Sequence, residues 1–177
     1  PEGGTFALSD GAVIYQVDAF ALFFKRFFLL ATIFVLVMSV EFSRHLESAI
    51  AEFYALILFA LVGMLLVASV ADFIMLFVSL ELITVTFYVL TSYLRRQIAS
   101  LESGVKYLVI GAASSAFLLY GITFVYGTTG TTNFAGIAAS TTKASASYTF
   151  GILLVLVGLG FKISSVPMQI WAPDVYQ

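Results

Sequence analysis

The hydrophobic positions of this chain come in long runs, and its polar positions fall in short clusters between them. A helix that crosses a bilayer needs about 20 mostly apolar residues, and five runs qualify. The pattern predicts helices over about 19–40, 53–71, 73–94, 100–126 and 148–170. Between them lie the charged connector "EFSRHLESAIAE", a tight turn at Asp72, the "RRQ" cluster and the polar loop "GTTGTTNFAGIAASTTKASAS". The expected fold is an all-α polytopic membrane protein, a single transmembrane domain over residues 1–177 whose last helix is interrupted near Pro167. No internal repeat is detectable within the five helices.

Composition narrows the reading. The chain is 61% hydrophobic and only 10% charged, whereas soluble domains carry about 25% charged residues, so a soluble domain is excluded. The formal net charge is −2 with no basic tract, which gives nucleic acid nothing to bind. Cysteine is absent, so no disulfide, thiolate-bound metal or iron–sulfur cluster belongs to this chain. His45 is a single histidine in a charged connector and cannot build a metal site without partners. The opening residues "PEGGTFALSDG" lack the basic region of a signal peptide. Both ends read as cuts through a longer membrane protein.

Orientation follows from lysine and arginine in the connectors. The first and third connectors carry Arg44, Arg95 and Arg96, and the opposite side carries Lys143, so the first group is placed in the cytoplasm. Lys25 and Arg26, near the start of the first helix, vote the other way and read as snorkelling anchors.

Nearly all charges sit at helix ends or in connectors, but Glu81 and Lys162 do not. Glu81 lies near the middle of the third predicted helix and Lys162 beyond the middle of the fifth. A lone charge at the bilayer centre costs about 2.5–3.5 kcal/mol on insertion scales, and such residues mark ion and proton pathways. The plainer alternative is a buried ion pair that only fixes packing. Lys106 is a third candidate, a turn or two inside the fourth helix, from where a lysine can also snorkel.

Glu81, Thr84, Tyr88 and Thr91 recur at helical spacing and form one polar stripe. Gly158, Lys162 and Ser165 share a face of the fifth helix. Pro167 removes a backbone donor there, and the carbonyls it frees need partners in lipid. Ser164 and Ser165 offer hydroxyls at that place. Broken membrane helices typically mark ion sites, and an amine beside a carboxylate at such a break can hold and pass protons without a covalent step. "GLGFKIS" lacks phosphate-loop spacing, and no dinucleotide fingerprint, zinc-protease motif or nucleophile elbow is present.

Taken together, "SLELITVTFYVLTSY", "ESGVKYLVIGAASSAFLLYGITFVYG" and "GFKISSVPMQIWAPDVYQ" resemble the N-type antiporter-like membrane subunits of the proton-pumping NADH:quinone oxidoreductase, respiratory complex I. The likeness is weakest before Asp18 and in the 128–147 loop, and "APDVYQ" from Ala172 favours the N type over its siblings. The resemblance implies that the five helices are about the third to seventh of a larger subunit. It also implies that Glu81, Lys106 and Lys162 belong to a hydrophilic axis carrying protons, while the helical spacing and the helix break put Thr84, Tyr88, Ser164, Ser165 and Pro167 in support. By the same resemblance the chain does no redox chemistry and holds no cofactor; NADH, flavin, iron–sulfur clusters and quinone belong to other parts of the complex. The expected partners are other membrane subunits, the lipid bilayer and protons, in a bacterial plasma membrane. A sodium/proton antiporter subunit and a structural scaffold subunit are the two alternatives.

Overall fold

The computed structural model describes residues 4–7, 13–44, 46, 49–94, 96–140, 145–166 and 169–176. Among them, helices α1 (Ala19–Ser43), α2 (Ile50–Val67), α3 (Phe73–Thr91) and α4 (Ile98–Thr129) are long and apolar enough to cross a membrane. Helix α5 (Phe134–Ala139) is a short helix in the fourth connector, and α6 (Ala146–Lys162) is apolar but shorter than the others. A 3₁₀ turn at Gln169–Trp171 leads into α7 (Ala172–Tyr176).

Local chemistry sets these boundaries. Asp18 caps α1 by accepting from the Ala21 N–H, and Asp72 caps α3 through Ile74 and Met75. Asn133 and Ser145 do the same for α5 and α6. Each supplies an acceptor to otherwise orphaned backbone donors, which hydrocarbon would not satisfy.

Two features depart from the expected all-helical layout. Residues Thr5–Ala7 (β1) and Val13–Gln16 (β2) pair as an antiparallel hairpin. Its second strand joins the turn between α2 and α3: Gln16 N–H donates to Ser69 O, and Ala71 N–H to Ile14 O. Phe73 N–H donates in turn to Thr132 O, and Phe134 N–H to Ala71 O. The Asn133 amide, which donates to Val13 O and to Ala71 O, ties all three segments into one plate at this end of the bundle. That plate is why α2 stops at Val67 rather than running to 71: its next residues are used in pairing. Lys25 is held by the same hairpin, donating to Tyr15 Oη at 2.5 Å.

The second departure concerns the last long helix. The expected span 148–170 is too long at its C-terminal end, because α6 stops at Lys162. Pro167, like His45, Arg95 and Lys143, lies outside the described residues.

Small residues let α4 and α6 approach. A Cβ on Gly121 would lie 2.6 Å from Val155 N, and one on Gly158 would lie 2.7 Å from Leu118 Cβ. Backbones pack this closely in membranes because dispersion replaces the missing hydrophobic drive. The Ser114 hydroxyl adds a bond across the crossing, donating to Gly158 O at 2.9 Å. On the other flank, Tyr88 of α3 lies against Gly111 of α4.

Candidate functional site

Helices α3, α4 and α6 each contribute to one cluster close to the midpoint of α4. Lys162, the last residue of α6, extends to Glu81 on α3, with Nζ 2.9 Å from Oε1. Their side chains are 12% and 25% exposed, so the pair is shielded enough for the interaction to be only weakly screened. Lys162 also donates to Thr84 Oγ1 at 3.0 Å and to Ser115 Oγ at 3.3 Å. Ser115 in turn donates to Glu81 Oε1.

The end of α6 is built to stop there. Ser164 N–H donates to Phe161 O, and Ser165 N–H to Gly160 O, both within 3.1 Å. With Ser164 at φ 53°, this is a Schellman cap with serine in the left-handed position that glycine usually fills. Ser165 Oγ donates a second bond to Gly160 O at 3.0 Å. The Trp171 indole N–H donates to Phe161 O at 3.1 Å, reaching back across the break. Trp171 is 6% exposed and stacks on Tyr107 with ring centroids 4.7 Å apart. The carbonyls that a broken helix leaves bare are therefore largely met by protein groups, as membrane depth demands.

A cavity of about 300 Å³ begins at Lys162 and is lined by Thr84, Thr91, Tyr107, Gly111 and Trp171 among others. A second, of about 400 Å³, shares Thr91 and Val175 with it and reaches Ser100, Glu102 and Lys106. Together the two cavities lead from Lys162 toward the α3–α4 connector.

The expected site residues are thus not all brought together. Glu81, Thr84 and Lys162 meet. Tyr88 faces Gly111 and Tyr107 rather than the amine. Lys106 is separate: it pairs with Glu102 at 2.9 Å, one turn earlier on its own helix, with its side chain 45% exposed. It lies nine positions from Ser115, about 13 Å along α4. Ser164 contributes its backbone conformation and Ser165 its hydroxyl, while Pro167 is outside the described residues.

The sequence reading missed Ser115 and Trp171. Ser114 and Ser115 are adjacent and alike in the sequence, and hydroxyls bond across membrane helices commonly. Only the helix rotation shows that Ser114 turns to a backbone carbonyl and Ser115 to a carboxylate. The lone tryptophan of the chain offered a signal, because a buried indole N–H needs an acceptor.

Fold and site define a polytopic helical membrane protein with a partly buried Lys–Glu pair at the C-terminal end of α6. Residues 70–177 match the family described as NADH:quinone oxidoreductase/Mrp antiporter, TM, and the chain belongs to that family. It is 43% identical over 176 residues to NADH-quinone oxidoreductase subunit N of Desulfitobacterium hafniense, covering 99% of this chain and 35% of that one. A chain of respiratory complex I from Thermus thermophilus with bound aureothin superposes with TM-score 0.79 at 33% identity, over 98% of this chain and 36% of the other. A chain of the Mrp complex from Dietzia sp. DQ12-45-1b shares the fold, with TM-score 0.84 at 20% identity, over 98% and 33% of the two chains. The chain therefore spans about a third of the length of the relatives it matches.

Proposed function

We propose that this chain forms part of the proton-translocating membrane subunit of an NADH:quinone oxidoreductase, with Lys162 and Glu81 as groups that hold and pass the proton. One observation carries the reading: Lys162, paired with Glu81 at 2.9 Å where α6 ends, lines a cavity that reaches Thr91 and Tyr107. A packing-only pair needs neither a break nor a cavity. Lys106 and Glu102 stand at the far end of that line, where Lys106 relays protons between the connector side and Lys162.

The redox cofactors belong to other subunits. The chain has no cysteine, so it has no thiolates to hold an iron–sulfur cluster. The alternative of an antiporter subunit rests on the shared family description and on the fold match to a chain of an Mrp complex, and the Glu81–Lys162 pair suits transport of either ion. The test is proton flux in vesicles carrying the full-length subunit in its complex. With Glu81→Gln, flux and NADH-driven quinone reduction fall together while the complex still assembles. If flux instead follows a sodium gradient with no NADH dependence, the antiporter reading replaces this one.

In the proposed orientation in a bacterial plasma membrane, the α3–α4 connector faces the cytoplasm and the hairpin plate faces outward. A cysteine at Ala99 is then protected from an impermeant thiol reagent applied outside, and one at Ala139, at the end of α5, is labelled. Both positions are exposed. The reverse labelling pattern overturns the orientation.

A further inference from the structure

A lysine ammonium has three N–H bonds, and at Lys162 each has an acceptor: Glu81 Oε1 at 2.9 Å, Thr84 Oγ1 at 3.0 Å and Ser115 Oγ at 3.3 Å. The two hydroxyls differ in where their own protons go. Thr84 donates to Leu80 O of its own helix, at 2.6 Å, and stays tied to backbone. Ser115 donates to Glu81 Oε1. Its proton therefore lies on the line between the two ionisable groups, on a third helix and only 9% exposed.

Resting on the proton-carrying role of Glu81 and Lys162, we propose that Ser115 is a catalytic hydroxyl that shuttles the proton between them. As one Nζ–H bond of Lys162 breaks, an O–H bond forms on Ser115 Oγ. The original Oγ–H bond of Ser115 breaks at the same time, and its proton passes to Glu81 Oε1. One proton has moved, the amine and the carboxylic acid are neutral, the hydroxyl is intact, and nothing is oxidised or reduced.

The bond directions then reverse. The acid donates to Ser115, and Ser115 donates to the lone pair of the amine. Both protonation states keep the bridge satisfied, which matters because an unmet polar group inside protein costs about 1–3 kcal/mol. Thr84 cannot do this without giving up Leu80 O. The direct Lys162–Glu81 contact at 2.9 Å offers a second route, so the hydroxyl adds to it rather than replacing it.

The experiment uses the full-length subunit in its assembled complex, with proton flux and amount of complex measured for the parent, Ser115→Ala, Ser115→Thr and Glu81→Gln. Ser115→Ala assembles at the parental level, and its flux falls about tenfold. That is below the ~10²–10⁴ of an indispensable acid–base group, because the direct contact remains. Ser115→Thr keeps a hydroxyl and recovers most of the flux. Parental flux in Ser115→Ala overturns the shuttle, as does equal loss in the alanine and threonine variants. A fall in flux that only follows a fall in assembled complex also overturns it. If Glu81→Gln pumps at the parental rate, the wider reading fails too, an outcome that Ser115→Ala alone cannot produce.

Discussion

Lys162→Arg leaves the complex assembled and abolishes most of its proton flux. A guanidinium keeps the positive charge and can still pair with Glu81, so packing and the ion pair survive. It does not release its proton under any physiological condition, so a step that needs a neutral base at 162 stops. The expected loss is at least about 100-fold, the lower bound for removing a general acid–base group. Lys162→Ala should fail differently. Removing one partner of a fully buried pair costs about 3–5 kcal/mol, and the cost here falls below that range because Glu81 is a quarter exposed. Flux is lost, and the amount of complex drops modestly. The energies are of matching size, since moving one charge against 100 mV takes about 2.3 kcal/mol, which the opening or closing of such a pair can supply. A scaffold pair forecasts the opposite order, with arginine tolerated and alanine failing through lost assembly. Measuring flux beside assembled complex in both variants decides between them.

Gly158→Val prevents the full-length subunit from accumulating, while Gly127→Ala leaves it unchanged. A Cβ at 158 would meet Leu118 Cβ, N and Cα at 2.7, 2.8 and 2.9 Å, and two of those atoms are backbone. No rotamer change relieves that contact, so α6 must move away from α4. The move also breaks the bond from Ser114 to Gly158 O and draws Lys162 away from Ser115. Overpacking typically costs about 1–3 kcal/mol, and a branched side chain against backbone belongs at the upper end. A Cβ on Gly127, in the same helix α4, has nothing within 4 Å, and alanine there gains helix propensity of about 1 kcal/mol. Normal accumulation of Gly158→Val, judged by the amount in purified membranes, would show that the close crossing is dispensable.

The contrast between these two glycines shows where the sequence stops being readable. Both lie in helices, Gly158 inside an apolar run and Gly127 where the polar loop begins in the sequence, and neither setting gives the distance to a neighbouring helix. Their difference is the distance to a neighbouring helix, a tertiary quantity. The same holds for Ser114 and Ser115, adjacent in sequence and turned to different partners. Lys106 shows the same limit: the resemblance implied one axis with Glu81 and Lys162, and only the structure shows it paired with Glu102, one cavity away from Lys162. The hairpin at 5–16 went unread because its pairing partner, the turn at 69–72, is distant in the chain.

By itself, the sequence determined that there are five apolar stretches, four of which form helices long enough to cross a membrane, and that Glu81 and Lys162 are out of place among them. Hydrocarbon imposes both facts residue by residue, through the length of the spans and the cost of a buried charge. Only the tertiary structure decided that the two charges meet, that α6 ends at Lys162 under a serine cap, and that Trp171 closes the break from the other side. The reason is that lipid fixes how deep a side chain lies, whereas only the packing of α3, α4 and α6 fixes which way it faces.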